Sequence, residues 1–531
     1  MKLIKLSVYL VLIFIIIFLV TRKTAPVLSD PVKMVESPGT YTSMPFSEFR
    51  KVLPARFQYI KDESSFLEPY DKDKFALVES SVQNVTDEQL IALLYCTPNM
   101  GLGQYRLETI TVPPANVTSF QFEQGMMGWF WFYGTFIDST GNTASYMYYI
   151  FRLDMFSPDL RAKLNLPMGS TTYYYIASGV GKGNEWSYSP FKICRGEYKI
   201  QNDSVFSFTG LDLPTGWSFT LNSTGVGKFN ISSYWLDSTS KNQGFDADIK
   251  TARQPFFNGP QGCAPCEGGA GSLYFSYTQL HSSAALTVND SISNHTNGTG
   301  WLDRQWLNGQ VSTIYLNLLA NSMGMFKEAT GGLGKYVWLN LHLTDSLQYM
   351  IYSFLPLDSP VVVGTKFNTT QNRYGYKTEW SLSGTAEVLE TTVLNGITFP
   401  LKYKLSTREG NVILDAGKFN KSISIDPSNN IHWDGSGIVY DSTGSKMIGT
   451  GFLEANEFAD PTTYTTNLLQ SIGLPATDGN LQMFGTTSQL TVSEGLPSLV
   501  VAILVVLAVL ILLIMFIKTL FGKSKAKIQK S

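Results

Sequence analysis

The sequence predicts a mainly β ectodomain of two antiparallel domains, framed by terminal transmembrane helices. Three observations predict it. Aromatic residues make up 13% of the 531-residue chain and glycine occurs 45 times, a mixture of strand formers and turn formers. One aromatic hairpin pattern occurs twice in the same internal order. Two long apolar runs enclose everything else.

The ends come first. Leu6 to Val20 is an apolar run behind Lys2 and Lys5, with Arg22 and Lys23 directly after it and no small-x-small cleavage site, so residues 1–23 read as a signal anchor or signal peptide. Leu499 to Ile517 carries no charge and is long enough to span a bilayer, which makes 498–518 the expected transmembrane helix. Lys523, Lys525, Lys527 and Lys530 then place the tail 519–531 in the cytosol. The middle of the chain is expected to be exoplasmic or lumenal. A formal charge of -2 offers no basic footprint for nucleic acid, and the membrane is the expected partner.

That compartment frames the sequons and cysteines. Asn84, Asn116, Asn202, Asn222, Asn230, Asn289, Asn294, Asn297, Asn368 and Asn420 each open an N-x-Ser/Thr acceptor, and none lies in the flanks. Four cysteines suit an oxidising compartment and allow three pairings. A local disulfide between Cys263 and Cys266, with Cys96 joined to Cys194, is the expected one. Cys263-Ala264-Pro265-Cys266 sits between glycines in a loop and does not open a helix, so a redox site is not expected. Four histidines in 531 residues leave the cysteines without zinc partners; no metal and no cofactor are expected.

Residues 24–110 read as a juxtamembrane linker, Thr24 to Ser43, followed by a mixed region with one short helix. Thr86 caps that helix, Asp87 and Glu88 occupy its first turn, and it runs to Tyr95. The first β domain is expected over 111–299. Trp129 to Ile137, the turn Asp138 to Asn142, and Tyr146 to Leu153 form its signature hairpin. The second is expected over 300–460, where Trp338 to Asp345 and Tyr349 to Phe354 repeat the spacings of Trp131 to Asp138 and Tyr146 to Phe151. Asp441 to Gly444 turns a closing hairpin between Gly437–Tyr440 and Gly449–Glu454. Tyr173, Tyr174 and Tyr175 read as strand core or barrel rim. Residues 461–497, polar and Thr-rich, read as a stalk.

Gly300 to Trp306 concentrates two tryptophans, an acid and a base in a chain of which only 15% is charged. It follows a sequon-rich stretch, Asn289 to Thr299, read as a loop, and so reads as the start of a strand. Alternation puts Trp301, Asp303 and Gln305 on one face and Leu302, Arg304 and Trp306 on the other. Two readings stand open: a structural Asp-Arg pair under tryptophan lids, or Asp303 as a general acid in an apolar pocket.

These landmarks together resemble the AttH-type lipocalin-like family, related to hydroxyneurosporene synthase, a carotenoid hydratase. Gly128-Trp129-Phe130-Trp131-Phe132-Tyr133-Gly134 with Phe151-Arg152 resembles the family's opening strand and its Phe-Arg ending. Trp301-Leu302-Asp303-Arg304-Gln305-Trp306 resembles its central Trp-Leu-Asp-Arg-Glu-Trp. Trp338 to Asp345, His432-Trp433-Asp434-Gly435 and Gly449 to Glu454 resemble its later segments. The resemblance implies two lipocalin-like β-barrels and an apolar cavity between or within them. Asp303 would be its proton donor, with Trp131, Tyr274, Trp301, Arg304, Trp306 and Trp338 contacting the ligand.

The chain departs from the pattern at Gly128, Leu302 and Gln305, and the strand Leu273 to Thr278 offers Tyr and Ser but no His. Two functions are therefore expected. One is binding of a lipid, isoprenoid or polyketide with hydratase- or isomerase-like activity; the alternative is a non-catalytic structural or adhesive glycoprotein of a cell or virion surface.

Overall fold

A computed structural model describes residues 38–62, 76–95, 127–307, 336–354, 361–368, 384–416, 422–424, 431–455 and 466–477, with short gaps inside these ranges. Two antiparallel sheets dominate. The first begins with β1 (Gly39–Thr42), β2 (Met127–Ile137), β3 (Thr143–Asp154), β4 (Thr172–Lys182) and β5 (Glu185–Tyr188). It continues through β6 (Lys192–Asn202), β7 (Val205–Leu211), β8 (Ser218–Gly225), β9 (Lys228–Leu236) and β10 (Asn242–Lys250). The short β11 (Phe256–Phe257) and β12 (Cys263–Pro265) precede the two longest strands, β13 (Gly271–Val288) and β14 (Ser291–Leu307). The second sheet comprises β15 (Tyr336–Thr344), β16 (Leu347–Phe354), β17 (Val361–Asn368), β18 (Gly384–Leu394) and β19 (Ile397–Thr407). It ends with β20 (Gly410–Asp415), β21 (Ser422–Ser424), β22 (Ile431–Asp441) and β23 (Met447–Ala455).

Each sheet closes on itself. In the first, β14 pairs with β2 and β4 pairs with β6, joining neighbours into an up-and-down barrel; in the second, β15 pairs with β23 and β20 with β22 to the same effect. Alternating side chains fill the interiors. Phe130, Phe132, Tyr146, Tyr148, Phe219, Phe245, Phe275 and Leu302 pack inside the first barrel. Val337, Leu339, Leu341, Ile351, Phe399, Tyr403 and Leu453 pack inside the second. A third core lies outside both barrels. There Trp131, Tyr133, Tyr274 and Trp301 of the first barrel's outer face meet Trp338, Met350 and Phe452 of the second, in one cluster with Phe49, Leu53, Leu90 and Leu94.

Those last four side chains come from two helices, α1 (Phe46–Asp62) and α2 (Asp87–Tyr95), which cover the first barrel. The expected helix α2 is present with a reciprocal cap: the Thr86 backbone N–H donates to Gln89 Oε1 at 3.0 Å and the Gln89 N–H donates to Thr86 Oγ1 at 3.2 Å. A third short helix, α3 (Pro158–Lys163), presents Arg161 to Asp154 at 2.5 Å. Helix α1 was hidden in the sequence by Pro54 near its middle.

The paired hairpins β2–β3 and β15–β16 form where the repeat predicts, as does the closing hairpin β22–β23. Gly141 and Gly444 supply left-handed turn residues at φ 82° and 74°. Other expectations are corrected. Asn289 to Thr299 is not a loop: Asn289 and Asp290, at φ 51° and 68°, turn β13 directly into β14, and the sequon asparagines Asn294 and Asn297 lie on that strand. Trp301 to Trp306 therefore ends the last strand of the first barrel, and the boundary between barrels falls after Leu307, not at 299.

The expected linker already contains structure, since Gly39–Thr42 pairs with β6, and the expected stalk buries Leu469 and Leu474 against the helical cover. Cys194 is a free thiol, 2% exposed and turned into the first barrel's aromatic interior, so the expected bridge to Cys96 is not made. Cys96, Cys266 and the Cys263 side chain lie outside the described residues. Burial pushes the Cys194 thiol well up.

Of the sequon asparagines, Asn84, Asn202, Asn230, Asn289, Asn294 and Asn297 are exposed and Asn222 is half-buried; Asn116, Asn420 and the Asn368 side chain lie outside the described residues. Among the described residues no helix is long and apolar enough to cross a membrane. The terminal apolar runs and the basic tail lie outside them.

Candidate active site

The site grows from the register of three neighbouring strands. Asp303 on β14 stands opposite Trp131 on β2 and Ser276 on β13. Side chains two apart on a strand share a face, so Trp301 lies beside Asp303 and Tyr274 beside Ser276, all turned out of the first barrel toward the second. Arg304 follows the opposite alternation. It enters the first barrel, 1% exposed, with its guanidinium carbon 4.4 Å from the Phe130 ring centre. Its Nη1 donates to the carbonyls of Trp129 at 3.2 Å and Gln305 at 2.7 Å. Asp303 and Arg304 thus do not pair across the strand.

Asp303 is held by donors alone. Tyr274 OH donates to Oδ2 at 2.5 Å, Ser276 Oγ donates to Oδ1 at 2.5 Å, and Trp301 Nε1 donates to Oδ1 at 2.6 Å. Two of these donors are themselves backed. Trp338 Nε1 reaches from the second barrel to Tyr274 OH at 3.2 Å, and Asn258 Nδ2 donates to Ser276 Oγ at 2.7 Å. A hydroxyl has a single hydrogen, so accepting from behind commits that of Tyr274 and of Ser276 to the carboxyl.

Burial and hydrogen bonding oppose each other at Asp303. The group is 4% exposed, and burial pushes its pKa up; the three donors pull it back; Glu454 adds a like charge that raises it. Burial wins. The result is about 7, where the acid is half protonated at neutral pH.

The walls are aromatic. Trp131 meets Trp338 edge-on at 5.2 Å and Phe452 at 4.9 Å; Trp301 meets Trp338 at 6.0 Å and His342 at 5.6 Å. Tyr133 packs on Phe452 at 4.6 Å, its hydroxyl donating to Asn340 Oδ1, and burial pushes its phenol well above the ordinary range. Polar threads complete the seam: Thr135 Oγ1 donates to Ser436 Oγ at 2.9 Å and Thr278 Oγ1 to Gln348 Oε1 at 3.1 Å.

Residues made equivalent by the sequence repeat touch one another here. Trp131 contacts Trp338, and Tyr133 contacts Asn340. In register, Asp303 stands opposite Trp131 as Glu454 stands opposite Trp338, and Thr299 Oγ1 lies 3.4 Å from Thr450 Oγ1. Glu454 is thus the counterpart of Asp303 in the second barrel.

Of the expected site residues, Asp303, Trp131, Tyr274, Trp301 and Trp338 converge, each 5% exposed or less. Arg304 lies inside the first barrel, and the Trp306 side chain is outside the described residues. Ser276, Tyr133, Asn340, His342 and Phe452 were not foreseen as site residues; the repeat that equates Tyr133 with Asn340 was the available signal. Among the described residues no cluster of His, Cys, Asp and Glu could hold a metal ion.

No protein-family model matches this chain, and no curated protein matches it. Among solved structures it is similar to an AttH protein from Nitrosomonas europaea, at 14% identity over 63% of this chain and 93% of that one, TM-score 0.42. It is also similar to kievitone hydratase from Nectria haematococca, at 15% identity over 62% of this chain and 89% of the other, TM-score 0.39. A third is CghA with Sch210972, at 8% identity over 63% and 89%, TM-score 0.37. The AttH type that the sequence landmarks resemble is thus among the structures to which this chain is similar.

Proposed function

We propose that this chain is a membrane-anchored protein whose inter-barrel seam binds an apolar small molecule, with Asp303 as an acid for hydratase- or isomerase-like chemistry. The observation that carries this reading is a carboxyl poised near pH 7 by burial and faced by Trp131, Trp301 and Trp338. Structural carboxylates of ordinary ion pairs sit far lower.

The residues define a balanced step. Neutral Asp303 gives its proton to one carbon of an alkene: the π bond breaks, a C–H bond forms, and the cation left on the other carbon faces the indole rings. Water adds there through its oxygen, and its surplus proton returns to the Asp303 carboxylate; one water is consumed. Loss of a neighbouring C–H proton to that carboxylate moves the double bond instead. Tyr274, Ser276 and Trp301 hold the carboxyl in place and lower the cost of its ionised form.

The terminal runs Leu6–Val20 and Leu499–Ile517 support anchoring, with the barrels exoplasmic or lumenal and the lysine tail cytosolic. One observation favours the alternative of a non-catalytic surface glycoprotein: the seam side chains fill their own interface, and six sequon asparagines face solvent.

Native mass spectrometry of the full-length chain separates the two. The expected result is a co-purifying apolar molecule that Asp303→Asn binds but no longer converts. No co-purifying molecule and no uptake from lipid, isoprenoid and polyketide panels would leave only the glycoprotein reading.

A further inference from the structure

Asn340 is fully buried at the centre of the seam. Its amide oxygen is used by the Tyr133 hydroxyl, while its Nδ2 has no hydrogen-bond partner among the described residues. An amide nitrogen carries two N–H donors, and leaving such a group dry and unmatched is costly. A surface-facing strand position normally gives those donors to water. Here the second barrel's outer face is covered by the first, and the side chains around Asn340 are mostly apolar. Trp338 and His342 flank it on β15; Met350 on β16 and Phe452 on β23 stand opposite it. Trp131, in edge contact with both Trp338 and Phe452, brings Asp303's own wall to the same place.

We infer that the ligand is a neutral, oxygen-bearing apolar molecule whose carbonyl or hydroxyl oxygen accepts from Asn340 Nδ2. This rests on the proposed seam-binding function and narrows its ligand class. Neutrality follows from the acids on the seam, two against the imidazole of His342. Asp303 and its counterpart Glu454 are both acids, Glu454 acts on Asp303 as a like charge, and Arg304, the nearest base in sequence, is turned into the first barrel. A carboxylate or phosphate brought against two acids is repelled, whereas a carbonyl or hydroxyl oxygen satisfies the amide without adding charge. The oxygen anchors one end of the molecule, and the hydrocarbon remainder lies against the tryptophans near the acid. A pure hydrocarbon leaves the amide unmatched.

The test uses three molecules of one skeleton: farnesene, farnesol and farnesoate. Their saturable binding to the full-length chain at pH 8 is followed by tryptophan fluorescence. The wild type is expected to bind farnesol about tenfold more tightly than farnesene and to bind farnesoate more weakly than farnesol. Asn340→Leu is expected to abolish the roughly tenfold preference, bringing farnesol and farnesene to equal affinity, with Asn340→Ala replacing it if that variant does not fold. Retention of the farnesol preference in the variant, or equal wild-type affinities for farnesol and farnesene, overturns the role of Asn340 and leaves seam binding intact. Binding of none of the three removes the seam-binding reading itself, and this inference with it.

Discussion

Asp303 and Arg304 are neighbours in the chain and nearly equal in burial, yet the two faces of β14 treat them differently. The inward face surrounds Arg304 with aromatic rings and gives its hydrogens to backbone carbonyls of its own barrel. The outward face surrounds Asp303 with donors, one of them backed by a side chain of the other barrel. A guanidinium keeps its proton at any working pH, so its environment can only hold it. A buried carboxyl can lose or keep its proton, and its surroundings set which. The inward charge is therefore structural, and the outward one is adjustable.

The largest expected effect concerns the adjustable charge. In the unfolded chain Asp303 ionises near pH 4, whereas in the folded chain it holds its proton to about pH 7. The folded state binds the extra proton between these values, so stability is full below about pH 4 and declines as pH rises toward 7. The loss is on the order of 4 kcal/mol. Chemical denaturation across pH 4–8 should show this slope in the wild type and not in Asp303→Asn. Conversion of any bound alkene should fade over the upper part of the same range.

Arg304→Ala comes next. It empties part of the first barrel and strips the Trp129 and Gln305 carbonyls of a donor, a loss of about 3 kcal/mol that should be independent of pH in the same titration. A pH-dependent loss would mean that the two faces are coupled after all.

Trp338→Phe keeps the aromatic wall and removes the N–H behind Tyr274. It should cost about 1 kcal/mol and weaken seam binding without altering the first barrel's core. Ser276→Ala acts most gently on stability but most selectively on the acid: with one of three donors gone, the Asp303 titration moves above about 7, read by carboxyl infrared absorption or NMR. A downward move would contradict donor control of the carboxyl.

The sequence made the hairpins legible because their turns carry Asp-x-x-Gly chemistry at Asp138 and Asp441, and the aromatic spacing exposed the repeat. Alternation alone placed Asp303 and Arg304 on opposite faces. It did not show which face met the second barrel, because a barrel's outer face ordinarily meets water, and a polar Asn340 or Gln348 there reads as solvent-exposed. The turn at Asn289-Asp290 was obscured by its sequons, although both residue types tolerate the left-handed backbone they adopt. Local spacing carried the strands; the seam is a product of docking.

The contacts of Trp131 with Trp338, Tyr133 with Asn340 and Thr299 with Thr450 have a consequence for assembly. Where repeat-equivalent residues meet one another, the seam has the pattern of an isologous C2 interface, here within one polypeptide. Covalent linkage replaces concentration-dependent assembly with a fixed effective concentration, so neither half must be self-complementary any longer. Each barrel can then differ: one side of the seam carries a phenol and a buried Asp, the other an amide and a half-buried Glu.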